Sequence, residues 1–167
     1  YCVSKVYKTD KSGAFQTVAL KPGMYTVTET KAPDGYYISD QPSKTVEVKA
    51  GAGTLVEMQE AVFENEQILM PIRIKKTDGD KKDPKPLVGA EFKVYRLEGT
   101  DGQSKTEVDT LVTDMHGEAV SRLLPAGSYE VVATQPPKGY ELAANPSQKV
   151  TINKDSTEET LTFTLVN

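Results

Sequence analysis

Apolar and polar residues alternate along most of the chain, a pattern that predicts β-strands. In "IRIKK", a period of two places Ile72, Ile74 and Lys76 on one face of a strand. Arg73 and Lys75 fall on the other face. Because the two isoleucines favour the interior, the pattern predicts that Lys76 also points inward.

Two further apolar stripes end on asparagine. The alternation in "TLTFTLVN" puts Asn167 on the same face as Phe163 and Leu165. In "AVFEN", Asn65 shares a face with Phe63 in the same way. A polar side chain is therefore expected to close each stripe.

The chain contains an internal repeat. "YTVTETKAPDGY", residues 25–36, corresponds to "YEVVATQPPKGY", residues 129–140, and the similarity extends upstream through an Asp-x-x-Gly turn. Asp can hydrogen-bond nearby backbone and Gly tolerates positive φ, so this turn is expected to join two strands. At one position the copies differ in chemistry, because Glu29 in the first corresponds to Ala133 in the second.

The repeat predicts two tandem strand-rich domains, over residues 1–69 and 70–167. The second begins with two strands joined by a polar loop, within residues 72–97. The first has no counterpart of these strands, because Tyr1 precedes its first turn by only a few residues. We therefore expect an incomplete first domain that does not fold stably alone and that another segment, bearing a lysine, completes.

Composition excludes several classes of function. The formal net charge is −4 and the lysines are scattered among carboxylates, which argues against the basic face that nucleic-acid binding needs. Cys2 is the single cysteine and His116 the single histidine, so no internal disulfide, metal site or cofactor is expected. No apolar run is long enough to cross a bilayer. No signal peptide or sorting tail is recognisable, and both ends look cut.

Together, several motifs resemble the CnaB-type, prealbumin-like repeat domains of Gram-positive pilins and surface adhesins. They are "KTD" followed by "LVGAEF", then "VTDMHG", "LLPAGSYEV", the "ETKAPDGY" box and the terminal Asn. The resemblance covers essentially the whole chain and implies two tandem all-β antiparallel sandwiches, the first lacking its N-terminal strands. It implies an extracellular stalk module of an ancillary pilin or cell-wall-anchored adhesin, not a turnover enzyme. The implied partners are neighbouring domains of the same surface protein, with sortase and the pilus or cell wall engaged through segments outside this chain.

Many such domains make their own isopeptide bond between a first-strand Lys and a last-strand Asn or Asp, promoted by a buried Glu in the box. By resemblance, Lys76 and Asn167 are the partners in the second domain. Glu29 is the implied acid of the first domain and Asn65 its acyl partner. Ala133 stands where the second domain is expected to carry the acid. Two origins of this alanine are open, an engineered replacement and a natural loss.

The chemistry explains why the acid matters. A lysine attacks as the neutral amine, and burial lowers its pKa toward that form. A Glu kept protonated by dry surroundings can polarise the Asn carbonyl and carry a proton to departing ammonia, whereas Ala133 can do neither. Glu130 is a poor substitute, because alternation turns it away from the face of Tyr129 and Ala133. We therefore predict that Lys76 and Asn167 lie close together but remain unlinked.

Other interpretations are open. Lys76 and Asn167 could be ordinary polar residues at strand ends. A transthyretin-like regulatory or sugar-binding domain without cross-links would be favoured if Lys76 were exposed to solvent. Cys2 is interpreted as a free thiol near a cut end, with a thioester-forming cysteine, used by some related adhesins, as the alternative.

A ligand-binding module is the main rival. It would hold a host protein or glycan with loops at one end of the sandwich. Tyr36, Tyr37 and Tyr140 are the candidate contacts, but each follows a Pro-x-Gly turn that the fold itself uses. This interpretation therefore ranks second.

Overall fold

The computed structural model describes residues 4–50 and 59–166. These residues contain no helix, and hence none that is long and apolar enough to cross a membrane. They belong to two compact units, a first unit within residues 1–31 and 39–64 and a second unit within residues 32–38 and 65–167. The strands, in chain order, are β1 (Gly23–Thr28), β2 (Ser43–Val48), β3 (Leu69–Met70), β4 (Arg73–Thr77), β5 (Glu91–Glu98), β6 (Ser104–Val112), β7 (Glu118–Val120), β8 (Leu124–Pro125), β9 (Gly127–Gln135), β10 (Ser147–Ile152) and β11 (Thr162–Val166).

The second unit is built from two main sheets. One has four antiparallel strands in the order β10-β9-β5-β6, and the other has three strands in the order β11-β4-β7. In the smaller sheet β7 runs antiparallel to β4, whereas β11 runs parallel to it. The all-β fold class is confirmed, and the parallel pairing of β4 with β11 is a feature that alternation alone does not predict.

One apolar core joins the two sheets of the second unit. Ile72 and Ile74 pack in the same cluster as Val94 from β5 and Val131 from β9, and none of the four is more than 2% exposed. Burying an aliphatic side chain of this size contributes about 1.5–3 kcal/mol. Lys76 is buried on the same face of β4, so the inward alternation predicted for this strand is confirmed.

The first unit has a single two-stranded sheet, β1 paired antiparallel with β2. None of its described residues is buried. Alternation predicts a strand over "TLVEMQEAVFEN", residues 54–65. No strand is present over 59–65, and residues 54–58 lie outside the described residues. Phe63 is nevertheless half-buried while its neighbour Val62 is 62% exposed, so the predicted period of two persists. A strand needs a ladder partner, and the described part of the first unit contains no counterpart of β4.

Residues 10–48 of the first repeat correspond to residues 114–152 of the second, with a constant shift of 104 residues. Tyr25 pairs with Val46 in the first unit, and Tyr129 pairs with Val150 in the second. The Asp-x-x-Gly turn also recurs, since Gly13 donates to the carbonyl of Asp10 just as Gly117 does to that of Asp114. We call two residues related by this shift counterparts.

Candidate functional site

The backbone of Lys76 is held on both sides. Its N–H donates to the carbonyl of Gly117 at 2.7 Å, and its carbonyl accepts from the N–H of Leu87 at 2.9 Å. Gly117 has a φ of +71°, and a Cβ added there would lie 2.5 Å from the carbonyl oxygen of Lys76. The turn therefore needs glycine both for its conformation and for its close approach to β4.

The side chain of Lys76 lies in the interior. The residue is 4% exposed, next to Ile74 at 0%. Burial lowers the pKa of the Lys76 ammonium, and no neighbouring charge among the described residues contributes to the shift. Burial therefore shifts the protonation equilibrium of Lys76 toward the neutral amine, which is the nucleophilic form.

Lys76 and Ala133 line the same cavity. Its volume is about 90 Å³, and its apolar lining includes Ala90, Phe92 and Leu165. Ala133 is partly buried on β9 and packs against the core. A side chain longer than alanine at position 133 would therefore extend toward the space beside the lysine.

The backbone at Ala133 matches the backbone at Glu29. The N–H of Ala133 donates to the carbonyl of Pro146 at 2.7 Å, and the N–H of Glu29 donates to the carbonyl of Pro42 at 2.7 Å. The flanking strands keep the same register in both repeats. The difference between the copies at this place is therefore one of side-chain chemistry and not of backbone path.

Glu130 does not replace the missing acid. Its Oε2 lies 3.1 Å from Lys105 Nζ, while its neighbours Tyr129 and Val131 are buried in the core. The hydrogen bond from Lys105 is the largest cause that lowers the pKa of Glu130. Glu130 is thus a carboxylate paired on the other face of β9, as alternation predicted.

The last strand runs past the lysine. In the parallel β4–β11 ladder, Leu165 is the partner of Lys76 and Val166 is the partner of Thr77. Asn167 follows directly but lies outside the described residues, as does Cys2. The predicted pairing of Lys76 with Asn167 stays a prediction.

The predicted residues of the first site lie in different units. Glu29 is in the first unit, half-buried, and its Oε2 accepts from the N–H of Ser39 at 3.1 Å. Asn65 is in the second unit, half-buried, and its Nδ2 donates to the carbonyl of Tyr37 at 3.1 Å. Tyr37 itself packs against the core of the second unit.

His116 lies in the exposed Asp-x-x-Gly turn of the second repeat. Its N–H donates to Oδ1 of Asp114 at 2.8 Å. In the described ranges, no three His, Cys, Asp or Glu side chains are arranged to hold a metal ion.

Comparison with protein families gives two matches to the family described as "SpaA: Prealbumin-like fold domain", over residues 2–61 and 70–165. The chain belongs to this family. The match confirms the resemblance drawn from the motifs. The second unit has the two-sheet architecture that this resemblance implies. Comparison with curated proteins gave no match.

Several solved structures resemble this prealbumin-like chain. The Bacillus anthracis TIE protein is 28% identical with a TM-score of 0.66, over 95% of this chain and 27% of that one. A streptococcal ancillary pilin is 23% identical with a TM-score of 0.47, over 89% of this chain and 42% of that one. The minor pilin of Streptococcus agalactiae is 19% identical with a TM-score of 0.42, over 89% of this chain and 82% of that one. This chain thus spans about a quarter of the length of the TIE protein.

Two features of this prealbumin-like site were not found by sequence reasoning. Gly117 was recognised as a turn residue, but its contact with Lys76 depends on the β4–β7 pairing. Phe92 enters the cavity because it is the ladder partner of Ala133. The alternation of "AEFKV" could have indicated Phe92 as an inward-facing residue, and the turn motif indicates Gly117. Their position next to Lys76 depends on the sheet topology.

Proposed function

We propose that the chain is a structural spacer module of a Gram-positive surface protein, the stalk of an ancillary pilin or of a cell-wall-anchored adhesin. In the second domain, residues 70–167, Lys76 and Asn167 are the retained but unlinked partners of an isopeptide bond. The observation that carries this proposal is the burial of Lys76 in a cavity that it shares with Ala133. Family membership and the printed names of the pilin structures support the surface role.

The missing acid accounts for the absent bond. Bond formation requires Lys76 Nζ to attack Cγ of Asn167 and the Asn167 amide nitrogen to leave as ammonia. The leaving nitrogen must gain a proton, and the Asn167 carbonyl must be polarised during the attack. A methyl group at position 133 supplies no proton, so the buried amine and the amide stay unreacted.

The pairing of the terminal strands explains what a bond would do. When the domain is stretched by its two ends, the force pulls β4 and β11 in opposite directions along their shared ladder, because the two strands are parallel. A bond between Lys76 and Asn167 would transfer this force directly between the strands. By analogy with disulfides that close long loops, it would stabilise the domain by about 4–5 kcal/mol.

For the first domain, we keep the hypothesis that Glu29 is the acid and Asn65 the acyl partner of a lysine supplied by another segment. Sortase and attachment to the cell wall or to neighbouring domains would act through segments outside this chain. Such a protein would be located outside the cell. This part of the proposal follows from the family and from the motifs.

Two rival functions are weakened by particular residues. The transthyretin-like alternative would be favoured by an exposed Lys76, but that residue is 4% exposed. The ligand-binding alternative depends on loop tyrosines, but Tyr37 packs against the core of the second unit. Tyr36 and Tyr140 remain 40% and 38% exposed, so these two would have to supply the contacts.

Pulling single molecules by their ends tests the mechanical role. The parent chain should release the full length between positions 76 and 167 when the second domain unfolds, about 300 Å at roughly 3.3–3.6 Å per residue. An Ala133→Glu variant should not release that length, because the bond would hold positions 76 and 167 together. Adding Lys76→Ala to this variant should allow the release again. If the parent chain did not release this length, its two residues would already be linked, and the proposed role of Ala133 would be wrong.

A further inference from the structure

The segment after Ala133 is anchored in the same way as the segment after Glu29. At both places the residue's N–H donates at 2.7 Å to the carbonyl of the proline that precedes the next strand. Within each segment a tyrosine N–H also donates to the proline carbonyl three residues before it, at 3.2 Å for Tyr36 and at 3.1 Å for Tyr140. A contact made by the first segment therefore indicates what its counterpart in the second could hold.

The first segment holds a carboxylate. Oε2 of Glu29 accepts from the N–H of Ser39 at 3.1 Å. The counterpart of Ser39 is Ala143, which lines the cavity together with Lys76 and Ala133. No described residue accepts a hydrogen bond from the N–H of Ala143. The second repeat therefore keeps the donor for a carboxylate but carries no carboxylate at position 133.

The cavity also offers a buried cation and a limited volume. Lys76 is 4% exposed, and none of the ion pairs between described residues involves it. The cavity volume is about 90 Å³. An apolar cavity of about 150 Å³ takes up benzene, which has six heavy atoms, so in proportion a ligand of about three or four heavy atoms fits here.

We propose that this cavity binds a short monocarboxylic acid, formic or acetic acid, with its carboxyl group between Lys76 and the N–H of Ala143. The apolar end of the acid would lie against Phe92 and Leu165, which line the same cavity. Leu142 and Ala143 are exposed to solvent, so the acid can enter on their side.

The charges of ligand and lysine are complementary. The acid enters as a carboxylate and meets the Lys76 ammonium, so the pair carries no net charge. In apolar surroundings the proton can pass from the ammonium to the carboxylate, because burial favours the neutral form of each group. The bound acid would then face a neutral amine and carry the proton that no side chain supplies at position 133.

The consequence for the second domain rests on the function proposed above. Lys76 Nζ would form a bond to Cγ of Asn167 while the bond from Cγ to the amide nitrogen breaks. The bound acid donates a proton to the leaving nitrogen and takes one from the Lys76 amine, so ammonia departs and the acid is restored. Nothing is oxidised or reduced, and the acid therefore acts as a catalyst of the bond.

NMR titration of the isotope-labelled full chain tests the site. Sodium acetate is added at constant pH and ionic strength while the amide resonance of Ala143 is followed. A saturable shift is expected, with a dissociation constant of about 1–10 mM because the ligand has so few atoms. Acetamide has the same shape but neither charge nor acidic proton, so it should bind at least about tenfold more weakly. Trimethylacetate is too large for the cavity and should not bind there.

Three variants and a mass measurement complete the test. Lys76→Met should weaken acetate binding at least about tenfold, whereas Lys154→Met, at an exposed lysine in a turn, should leave it within about twofold. Ala133→Glu should abolish acetate binding, because its own side chain extends into the cavity. In a parallel incubation, the parent chain should lose one ammonia in saturating acetate and none in acetamide.

The outcomes separate this proposal from the function on which its second part rests. No saturable shift up to about 100 mM acetate, or equal weakening by Lys76→Met and Lys154→Met, would overturn the binding site. Acetate binding without loss of ammonia, when Ala133→Glu does lose ammonia, would overturn the catalytic role of the bound acid. If Ala133→Glu also kept its ammonia, the proposed pairing of Lys76 with Asn167 would be wrong, and the titration would still decide the binding site.

Discussion

Glu29 and Ala133 hold the same place in the two repeats, and the N–H of each donates a 2.7 Å hydrogen bond to a proline carbonyl, of Pro42 and Pro146 respectively. The strand pairs on either side are also in the same register. The backbone path is therefore the same in both copies. What differs is the side chain, because glutamate carries a carboxyl group that can hold a proton and alanine carries none.

The alkaline stability of the second domain should depend on Lys76. Burial lowers the pKa of Lys76 in the folded state, whereas in the unfolded chain it is about 10.4. Between these two values the unfolded state binds more protons, so the free energy of unfolding rises with pH. Lys76→Met has no amine at this position, so its stability does not rise in this way. The variant should therefore be more stable than the parent at neutral pH, and the difference should shrink as the pH approaches about 10.4.

Denaturant unfolding of the parent and of Lys76→Met over this pH range gives the difference between their free energies of unfolding. The buried Tyr129, whose pKa is raised mainly by burial, has the opposite dependence, but it is present in both proteins and cancels in the difference. A difference that does not change with pH would indicate that Lys76 is already an amide.

Gly117→Ala should destabilise the second domain more than Gly139→Ala. Both glycines have positive φ, at +71° and +88°, so both substitutions carry backbone strain of about 1–2 kcal/mol. Only at position 117 would the new Cβ meet backbone, at 2.5 Å from the carbonyl of Lys76. We expect an additional cost of about 1–3 kcal/mol there, measured by thermal or denaturant unfolding. Equal effects would mean that the turn does not hold β4.

The same truncation at counterpart positions should give unequal effects. Leu124→Ala removes a side chain that is 1% exposed and should cost about 2–5 kcal/mol, which global unfolding of the full chain measures. Leu20→Ala removes one that is 37% exposed and should cost less than about 1 kcal/mol. Similar losses at both positions would contradict an uncovered first domain.

Much of the second-domain site can be predicted from local patterns. A period of two turns Lys76 inward, and the internal repeat identifies Ala133 as the counterpart of Glu29. Both inferences depend on residues close in sequence or on direct comparison of the copies. The fold class follows from the same strands and turns, and family membership confirms it.

Longer-range features could not be predicted in this way. The parallel pairing of β4 with β11 joins the two ends of the second domain, and alternation carries no information on strand direction. Residues 60–65 keep their alternating exposure but form no strand, because a ladder depends on a partner and not on the segment alone. Residues 32–38 belong to the second unit, where Tyr37 reaches the core, although the repeat assigns them to the first domain.

If the acid missing at position 133 leaves Lys76 and Asn167 unlinked, mass spectrometry of the chain and of its Ala133→Glu variant should show this. The parent should show the full mass of its sequence, and its digest should contain separate peptides that carry Lys76 and Asn167. Ala133→Glu should lose one ammonia spontaneously and yield a joined peptide. Ala133→Gln, which fills the same space without an acidic proton, should lose none. A joined Lys76–Asn167 peptide from the parent chain would contradict the account.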